Sequence, residues 1–111
     1  MPHKSWKIRI HDILDSVETI EKYTEGMRFE DFSADRKTVD AVMRHLIVVG
    51  EAAARMPDHV CEGHPEIPWY EMRGMRNFVV HEYFNVNDKV LWNTIKENLP
   101  PLILPLKKLL E

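Results

Sequence analysis

Apolar residues recur at intervals of three and four along most of this chain, a spacing that places them on one face of an α-helix. The first run comprises Ile10, Ile13, Leu14, Val17 and Ile20. The second run is broader and comprises Val39, Val42, Met43, Leu46, Ile47, Val49 and Ala53. No segment alternates polar and apolar residues as a half-buried strand does. The sequence therefore predicts an all-α protein.

Capping and breaking residues divide the first half of the chain. We predict a first helix over residues 5–23, stopped by Gly26, and a second from a cap at Ser33 or Asp35 to about residue 56. Residues 28–35 are predicted to be a connector, with room for one helical turn, that two phenylalanines attach to the core. Residues 57–68 lie between prolines and are predicted to be a loop with at most a short helix over residues 59–62.

The second half begins with a third helix at Pro68, which has Trp69 in its first turn and buries it in the core. A fourth helix is predicted to start at Asn87 or Asp88 and to be kinked or broken at residues 100–101, which are both proline. A last, very apolar helical segment over residues 102–110 would complete the bundle or meet another subunit. We predict one domain over residues 1–111, folded as an up-and-down bundle of four or five helices.

The third helix carries most of the chemically useful side chains. At about 100° per residue, its apolar and polar residues fall on opposite arcs. The apolar arc comprises Met72, Met75, Phe78 and Val79. The polar arc, spread over about 160°, comprises Arg73, Arg76, Asn77, His81 and Tyr83. Glu82 falls on the apolar arc, which indicates that the helix ends there.

Arginine and histidine on one polar face suit attack on a phosphodiester. Arginine is always charged and offers a planar fork to phosphate oxygens. Histidine takes and gives protons near neutrality, so His81 would act on a ribose 2′-hydroxyl or on the leaving 5′-oxygen. Arg76 would hold the charge of the phosphorane, and Asn77 would orient the phosphate or His81. An Arg-x4-His match alone is weak, and the plain alternative is a solvated polar face.

The run Arg76-Asn77-x3-His81-x-Tyr83 resembles the Arg-x4-His-x-Tyr signature of HEPN-domain ribonucleases of the HepT toxin type. Further segments resemble the same family in the same order along nearly the whole chain. They are Val49-Gly50-Glu51-Ala52-Ala53, Ile67-Pro68-Trp69, Gly74-Met75-Arg76-Asn77, Val90-x-Trp92 and Leu99-Pro100. This ordered set is much more specific than the motif by itself.

The resemblance implies a HEPN-like helical bundle that dimerises and sets the motifs of both subunits around a shared cleft. It implies RNA cleavage by Arg76 and His81 without a metal or other cofactor. We expect Asn77 and Arg73 to support them in binding the substrate, since two copies of Arg73, Arg76 and His81 would meet in one groove of a dimer. The resemblance also implies a partner, an MntA-type nucleotidyltransferase antitoxin that transfers AMP from ATP onto Tyr83. Tyr83 lies about 20° round the helix from Arg76, so a phosphate-bearing adduct there would repel RNA phosphate. The plain alternative for Tyr83 is a packing residue with a hydrated hydroxyl.

Composition bears on the partners and the compartment. The net charge of −3 gives no general attraction to nucleic acid, so RNA binding would need a local patch or one built from two subunits. The only cysteine, Cys61, excludes an internal disulfide and fits a reducing cytoplasm. The first residues lack a signal-peptide hydrophobic region. The apolar run at residues 102–104 is too short to span a membrane.

Three other interpretations stay open at this point. The small residues around Gly50 favour tight helix packing. In that interpretation Glu51 pairs with a buried polar partner. A direct catalytic role for Glu51 is less favoured. His59, Cys61 and His64 offer zinc donors, but their spacing is not a standard one and an exposed loop is favoured. Finally, the chain could be a non-catalytic HEPN module that binds a nucleotide or a nucleotidyltransferase partner.

Overall fold

The computed structural model describes residues 5–111, and within this range the chain is helical and contains no strand. The α-helices are α1 (Trp6–Thr24), α2 (Phe29–Ala34), α3 (Arg36–Ala54), α4 (Asp58–Gly63), α5 (Trp69–Glu82), α6 (Asp88–Asn93) and α7 (Pro100–Lys108). A 3-10 turn (Tyr83–Asn85) follows α5, and a π-helical turn (Thr94–Asn98) follows α6. The predicted all-α bundle is confirmed. The prediction about a signal peptide concerns mainly residues 1–4, which lie outside the described range.

The first predicted helix agrees with α1 to within a residue at each end. Ser5 caps it, because the Ser5 side chain accepts a hydrogen bond from the Lys7 backbone N–H at 3.2 Å. The apolar stripe of α1 is buried, with Ile13 and Val17 at 0% exposure. Gly26, just beyond the end of α1, has a φ of 75°, a conformation that glycine adopts without steric cost.

Residues 29–34 form a short helix, α2, where a connector with one turn was predicted. The Asp31 carboxylate accepts a hydrogen bond from the Arg28 backbone N–H at 2.9 Å, which fixes the start of α2. Phe32 is completely buried, and its ring lies 5.3 Å from that of Trp92. The aromatic residues therefore attach this segment to the core, as predicted.

The second predicted helix corresponds to α3, which ends at Ala54, two residues earlier than predicted. Its cap is Asp35, whose carboxylate accepts from the Thr38 backbone N–H at 3.2 Å. After α3, the predicted loop contains α4, a little longer than the short helix that was predicted. The Trp69 indole N–H donates to the His64 carbonyl at 3.1 Å, so the buried Trp69 joins this loop to the first turn of α5.

The fourth predicted helix is interrupted before its prolines. The chain passes from α6 into the π-helical turn, in which the Leu99 N–H donates to the Thr94 carbonyl at 3.1 Å. Pro100 then begins α7, because a first-turn residue needs no N–H donor. Leu102, Leu106 and Leu109 are buried, so the last segment completes the bundle.

Asp88, at the start of α6, holds this second half of the bundle to the first. Its Oδ2 accepts from Ser33 Oγ at 2.9 Å and from Arg36 Nη1 at 2.7 Å. Burial raises the pKa of Asp88, but the hydrogen bonds from Arg36 and Ser33 outweigh it and leave the pKa below its ordinary value. The carboxylate is thus stabilised in its charged form.

No helix within residues 5–111 combines the length and the apolar character needed to cross a lipid bilayer.

The central helix α3 packs on α1 and on α5, and its approach to α5 is closest at Gly50. A Cβ atom added to Gly50 would lie 2.5 Å from the backbone nitrogen of Arg76 and 2.9 Å from its Cα. The backbone of α5 therefore occupies the space that any other side chain at this position would need. The prediction of tight packing at Gly50 is confirmed.

We expect Gly50→Ala to lower the free energy of unfolding by about 1–3 kcal/mol, because the added methyl group must push α5 away from α3. Gly74→Ala is the matched control, since a Cβ atom at Gly74 meets nothing within 4 Å. That substitution should raise the free energy of unfolding by about 0.5–1 kcal/mol through helix propensity alone. Urea unfolding followed by circular dichroism measures both. A Gly50→Ala variant at least as stable as Gly74→Ala would contradict the packing described here.

Candidate active site

Arg76 lies at the point where α5 touches α3, directly opposite Gly50. Its side chain is 42% exposed, and its Nε forms an ion pair with Oε1 of Glu51. Its Nη1 donates to the side-chain oxygen of Asn77 at 3.4 Å. Two of the three guanidinium nitrogens are therefore held by neighbouring side chains, one on α3 and one on α5.

Glu51 faces two arginines. Its Oε1 pairs with Arg76, while its Oε2 lies 3.6 Å from Nε of Arg55, one turn further along α3. The polar partner of Glu51 is Arg76, which is 42% exposed, whereas the sequence predicts a buried polar partner. The sequence predicts a polar partner for Glu51 but does not identify that partner as Arg76. The resemblance at Val49–Ala53 was the one signal that could have indicated it.

The third nitrogen of the Arg76 guanidinium, Nη2, has no hydrogen-bond acceptor among residues 5–111. Arginine binds phosphate through such N–H groups, in the plane of the guanidinium. The site therefore presents a cation that is already oriented and still has donors to offer an anion.

His81 lies in the last turn of α5, is exposed, and has no hydrogen-bond or ion-pair partner within the described range. It follows Arg76 by five positions, which places it about 140° further round the helix. Asn77, four residues before His81, is bonded to Arg76 instead. Within one chain, Arg76 and His81 flank the polar face and make no contact with each other.

Arg73, the predicted supporting residue, lies next to α4. Its guanidinium lies beside the Cys61 thiol of α4, where burial raises the pKa of Cys61 and the positive charge of Arg73 partly opposes that rise. Arg73 forms no contact with Arg76 or Glu51 in the described part of the chain. The structure therefore brings together Arg76, Asn77 and Glu51, and leaves Arg73 apart.

Tyr83 begins the 3-10 turn that follows α5, since the helix ends at Glu82 as the pattern indicated. Its side chain is 55% exposed, and its ring meets the ring of Phe84 edge-on at 5.2 Å. It borders a groove of about 370 Å³ along α3 whose other residues include Asp40 and Arg44. Because α3 and α5 are antiparallel, Tyr83 and Arg76 both lie along α3, about two helical turns apart.

Exposed apolar side chains surround His81. Val80 is 47% exposed and Phe84 is 93% exposed, and Tyr83 lies between them. We call Val80, Tyr83 and Phe84 the apolar strip. A cluster of this kind beside a polar site is a surface feature that commonly marks contact with another molecule.

The loop that follows α3 brings no metal site together. No group of three or more histidine, cysteine, aspartate or glutamate side chains is arranged to hold a metal ion within residues 5–111. His64 Nδ1 lies 3.4 Å from the Glu66 carboxylate, and Cys61 lies beside Arg73. The zinc interpretation of His59, Cys61 and His64 therefore gains no support.

Comparison with known proteins identifies the family. A sequence model described as "Ribonuclease HepT-like" matches residues 13–109. A Thermococcus cleftensis protein named "Probable ribonuclease HepT" is 46% identical over 99 residues, which is 89% of this chain and 90% of that protein. A "Putative RNase" of Caldanaerobacter subterraneus is 36% identical over 92% of this chain and 91% of its own length.

A further "Putative RNase", from Methanocaldococcus jannaschii, is 34% identical over 90% of this chain and 83% of its own length. No solved structure matches the chain. The family model spans nearly all of the described bundle, including the contact between Arg76 and Glu51. This chain belongs to the HepT-like family of ribonucleases.

Proposed function

We propose that this protein is a metal-independent endoribonuclease that cuts RNA with Arg76 and His81. The observation that carries the proposal is the oriented guanidinium of Arg76, which keeps an unpaired nitrogen on a half-exposed surface. Membership of a ribonuclease family makes RNA the substrate class to consider first. Arg76 is half-exposed and His81 is exposed, so a nucleic-acid strand has access to both residues.

The proposed reaction needs only proton transfer and charge stabilisation. His81 takes the proton from a ribose 2′-hydroxyl or gives a proton to the leaving 5′-oxygen. The 2′-oxygen attacks the adjacent phosphorus, and the bond to the 5′-oxygen breaks. The products are a 2′,3′-cyclic phosphate and a 5′-hydroxyl. Arg76 stabilises the extra negative charge on the phosphorane that forms after the 2′-oxygen attacks and before the bond to the 5′-oxygen breaks.

The active form is proposed to be a homodimer. Arg76 and His81 diverge by about 140° around α5, so a second copy would supply the group that one chain cannot aim at the same phosphate. The apolar strip beside His81 offers a surface for that contact. Two copies would also double the local positive charge, which a chain of net charge −3 needs in order to hold RNA.

The biological role that fits this activity is the toxin of a toxin–antitoxin pair. We propose that an MntA-type nucleotidyltransferase neutralises it by transferring AMP to Tyr83. In that step the phenolic oxygen attacks the α-phosphorus of ATP, pyrophosphate leaves, and the phenolic proton passes to solvent. Tyr83 is 55% exposed, and the adduct would add negative charge along the side of α3 against which Arg76 also lies.

Purified protein should cleave RNA in the presence of EDTA. Arg76→Ala and His81→Ala should each reduce the cleavage rate by about 100-fold or more, because each removes a group that acts on the reacting atoms. His59→Ala and Arg28→Ala are matched controls, since both residues are exposed and lie outside the site. Gel analysis of labelled RNA gives the rates, and end-group analysis should find 2′,3′-cyclic phosphates.

Three results would overturn the nuclease proposal: a requirement for divalent metal, full activity in His81→Ala, or cleavage of RNA that lacks the 2′-hydroxyl at the cut position. Mixing the two inactive variants tests the dimer, since exchange of subunits would restore a site that has one Arg76 and one His81. A mixture that stays inactive although the subunits exchange would contradict a shared cleft.

Co-expression with an MntA-type nucleotidyltransferase should add AMP to Tyr83 and suppress RNA cleavage. Peptide mass spectrometry should find the adduct on the peptide that contains Tyr83. Tyr83→Phe should abolish both the adduct and the suppression. Tyr70→Phe is the matched control, because Tyr70 lies in the first turn of α5, the helix that precedes Tyr83, and is even more exposed, at 78%. An adduct on Tyr70, or suppression that persists in Tyr83→Phe, would rule out the proposed modification.

A further inference from the structure

Glu51 is the charged residue in direct contact with Arg76 that comes from a different helix. Both side chains are roughly two-fifths exposed. Ion pairs exposed to this degree add little to folding stability, because water screens the charges and ordering two long side chains costs entropy. The main consequence of this contact is therefore the orientation that it imposes on the guanidinium.

That orientation is specific. Glu51 forms an ion pair with Nε and Asn77 accepts a hydrogen bond from Nη1, so the Arg76 guanidinium is held at two points. The remaining nitrogen, Nη2, is left without a partner within residues 5–111. A guanidinium held in this way presents its free N–H groups in a fixed direction, whereas an unrestrained arginine side chain samples many rotamers.

The position of Glu51 follows from the packing of its neighbour. Gly50 allows the backbone of Arg76 to lie against α3, and Glu51 is the next residue along that helix. Its second oxygen faces Arg55, so the carboxylate itself is drawn towards cations on both sides. Asn77 alone would leave the guanidinium free to turn about its single hydrogen bond.

We propose that Glu51 is a positioning residue, which holds the Arg76 guanidinium through Nε so that Nη2 points at the scissile phosphate of the RNA. The proposal rests on the nuclease function proposed above. In this proposal Glu51 contacts neither the RNA nor the proton that His81 transfers, and it acts only through Arg76.

Two substitutions separate positioning from other roles. Glu51→Ala removes the acceptor and should lower kcat by about 100-fold, with KM changed by less than about threefold, since misplacing a group that acts in the transition state costs rate more than binding. Glu51→Gln removes the charge but keeps a side-chain oxygen that can face Nε, and should keep kcat within about fivefold of the parent protein. Glu18→Ala, which removes an exposed acid on α1, is the control for the change in net charge.

A second measurement does not depend on cleavage. In proton–nitrogen NMR spectra, the Nε–H signal of Arg76, assigned with an Arg76→Lys variant, should exchange slowly with water in the parent protein and in Glu51→Gln. It should exchange rapidly in Glu51→Ala. Circular dichroism melting curves serve as the control that shows whether each variant is folded.

Several results for the Glu51 variants would overturn the positioning role. Full kcat in Glu51→Ala, or an increase in activity, would overturn positioning, because the carboxylate would then be idle or would compete with RNA for Arg76. Equal loss in Glu51→Gln and Glu51→Ala would also overturn it and would point to a role for the charge or for proton transfer. If the parent protein cleaves no RNA, the nuclease proposal fails by itself, and the NMR comparison still confirms or overturns the contact.

Discussion

The close approach of α3 and α5 at Gly50 is the constraint on which the site depends. With no side chain between the two helices, the backbone of Arg76 lies directly against α3. The Arg76 side chain must then leave along the surface of α3, where Glu51 meets it. The same antiparallel packing places Tyr83 beside the first half of α3, in the groove that Arg44 borders. The close packing at Gly50 thus brings Arg76 next to Glu51, and Tyr83 lies along the same side of α3.

Much of this fold could be predicted from the sequence because burial follows helical periodicity. The stripes of α1 and α3 are buried as expected, and the apolar arc of α5 is divided between fully buried Met72 and Val79 and half-buried Met75 and Phe78. The chain around residues 93–100 was harder to predict. Periodicity does not distinguish an α-helical turn from a π-helical one, so the π-helical turn at Thr94–Asn98 was not predicted. The predicted break at the prolines lies at Leu99, directly before Pro100 begins α7.

The residues of the candidate site could be predicted from the sequence, but most of the contacts between them could not. A helical wheel shows that Arg76 and His81 flank one face, but it does not show which neighbouring helix supplies a partner. The sequence likewise does not show that Cys61 of α4 lies next to Arg73, and the supporting role of Arg73 stays a prediction. Glu51 was judged mainly by its small neighbours, because the register between two helices cannot be read from either helix alone. Long-range contacts of this kind depend on tertiary packing, which in this protein is set by Gly50.

The central claim is that Glu51 of α3 orients the Arg76 guanidinium so that it can bind a phosphate of the RNA. A crystal structure of the His81→Ala variant bound to an uncleaved RNA tests it most directly. We predict a phosphate oxygen within hydrogen-bonding distance of the Arg76 Nη2, while Nε remains on Glu51 and Gly50 remains against the Arg76 backbone. A bound RNA whose phosphates contact other residues, with Arg76 still paired only to Glu51 and Asn77 or turned away from both, would contradict the account.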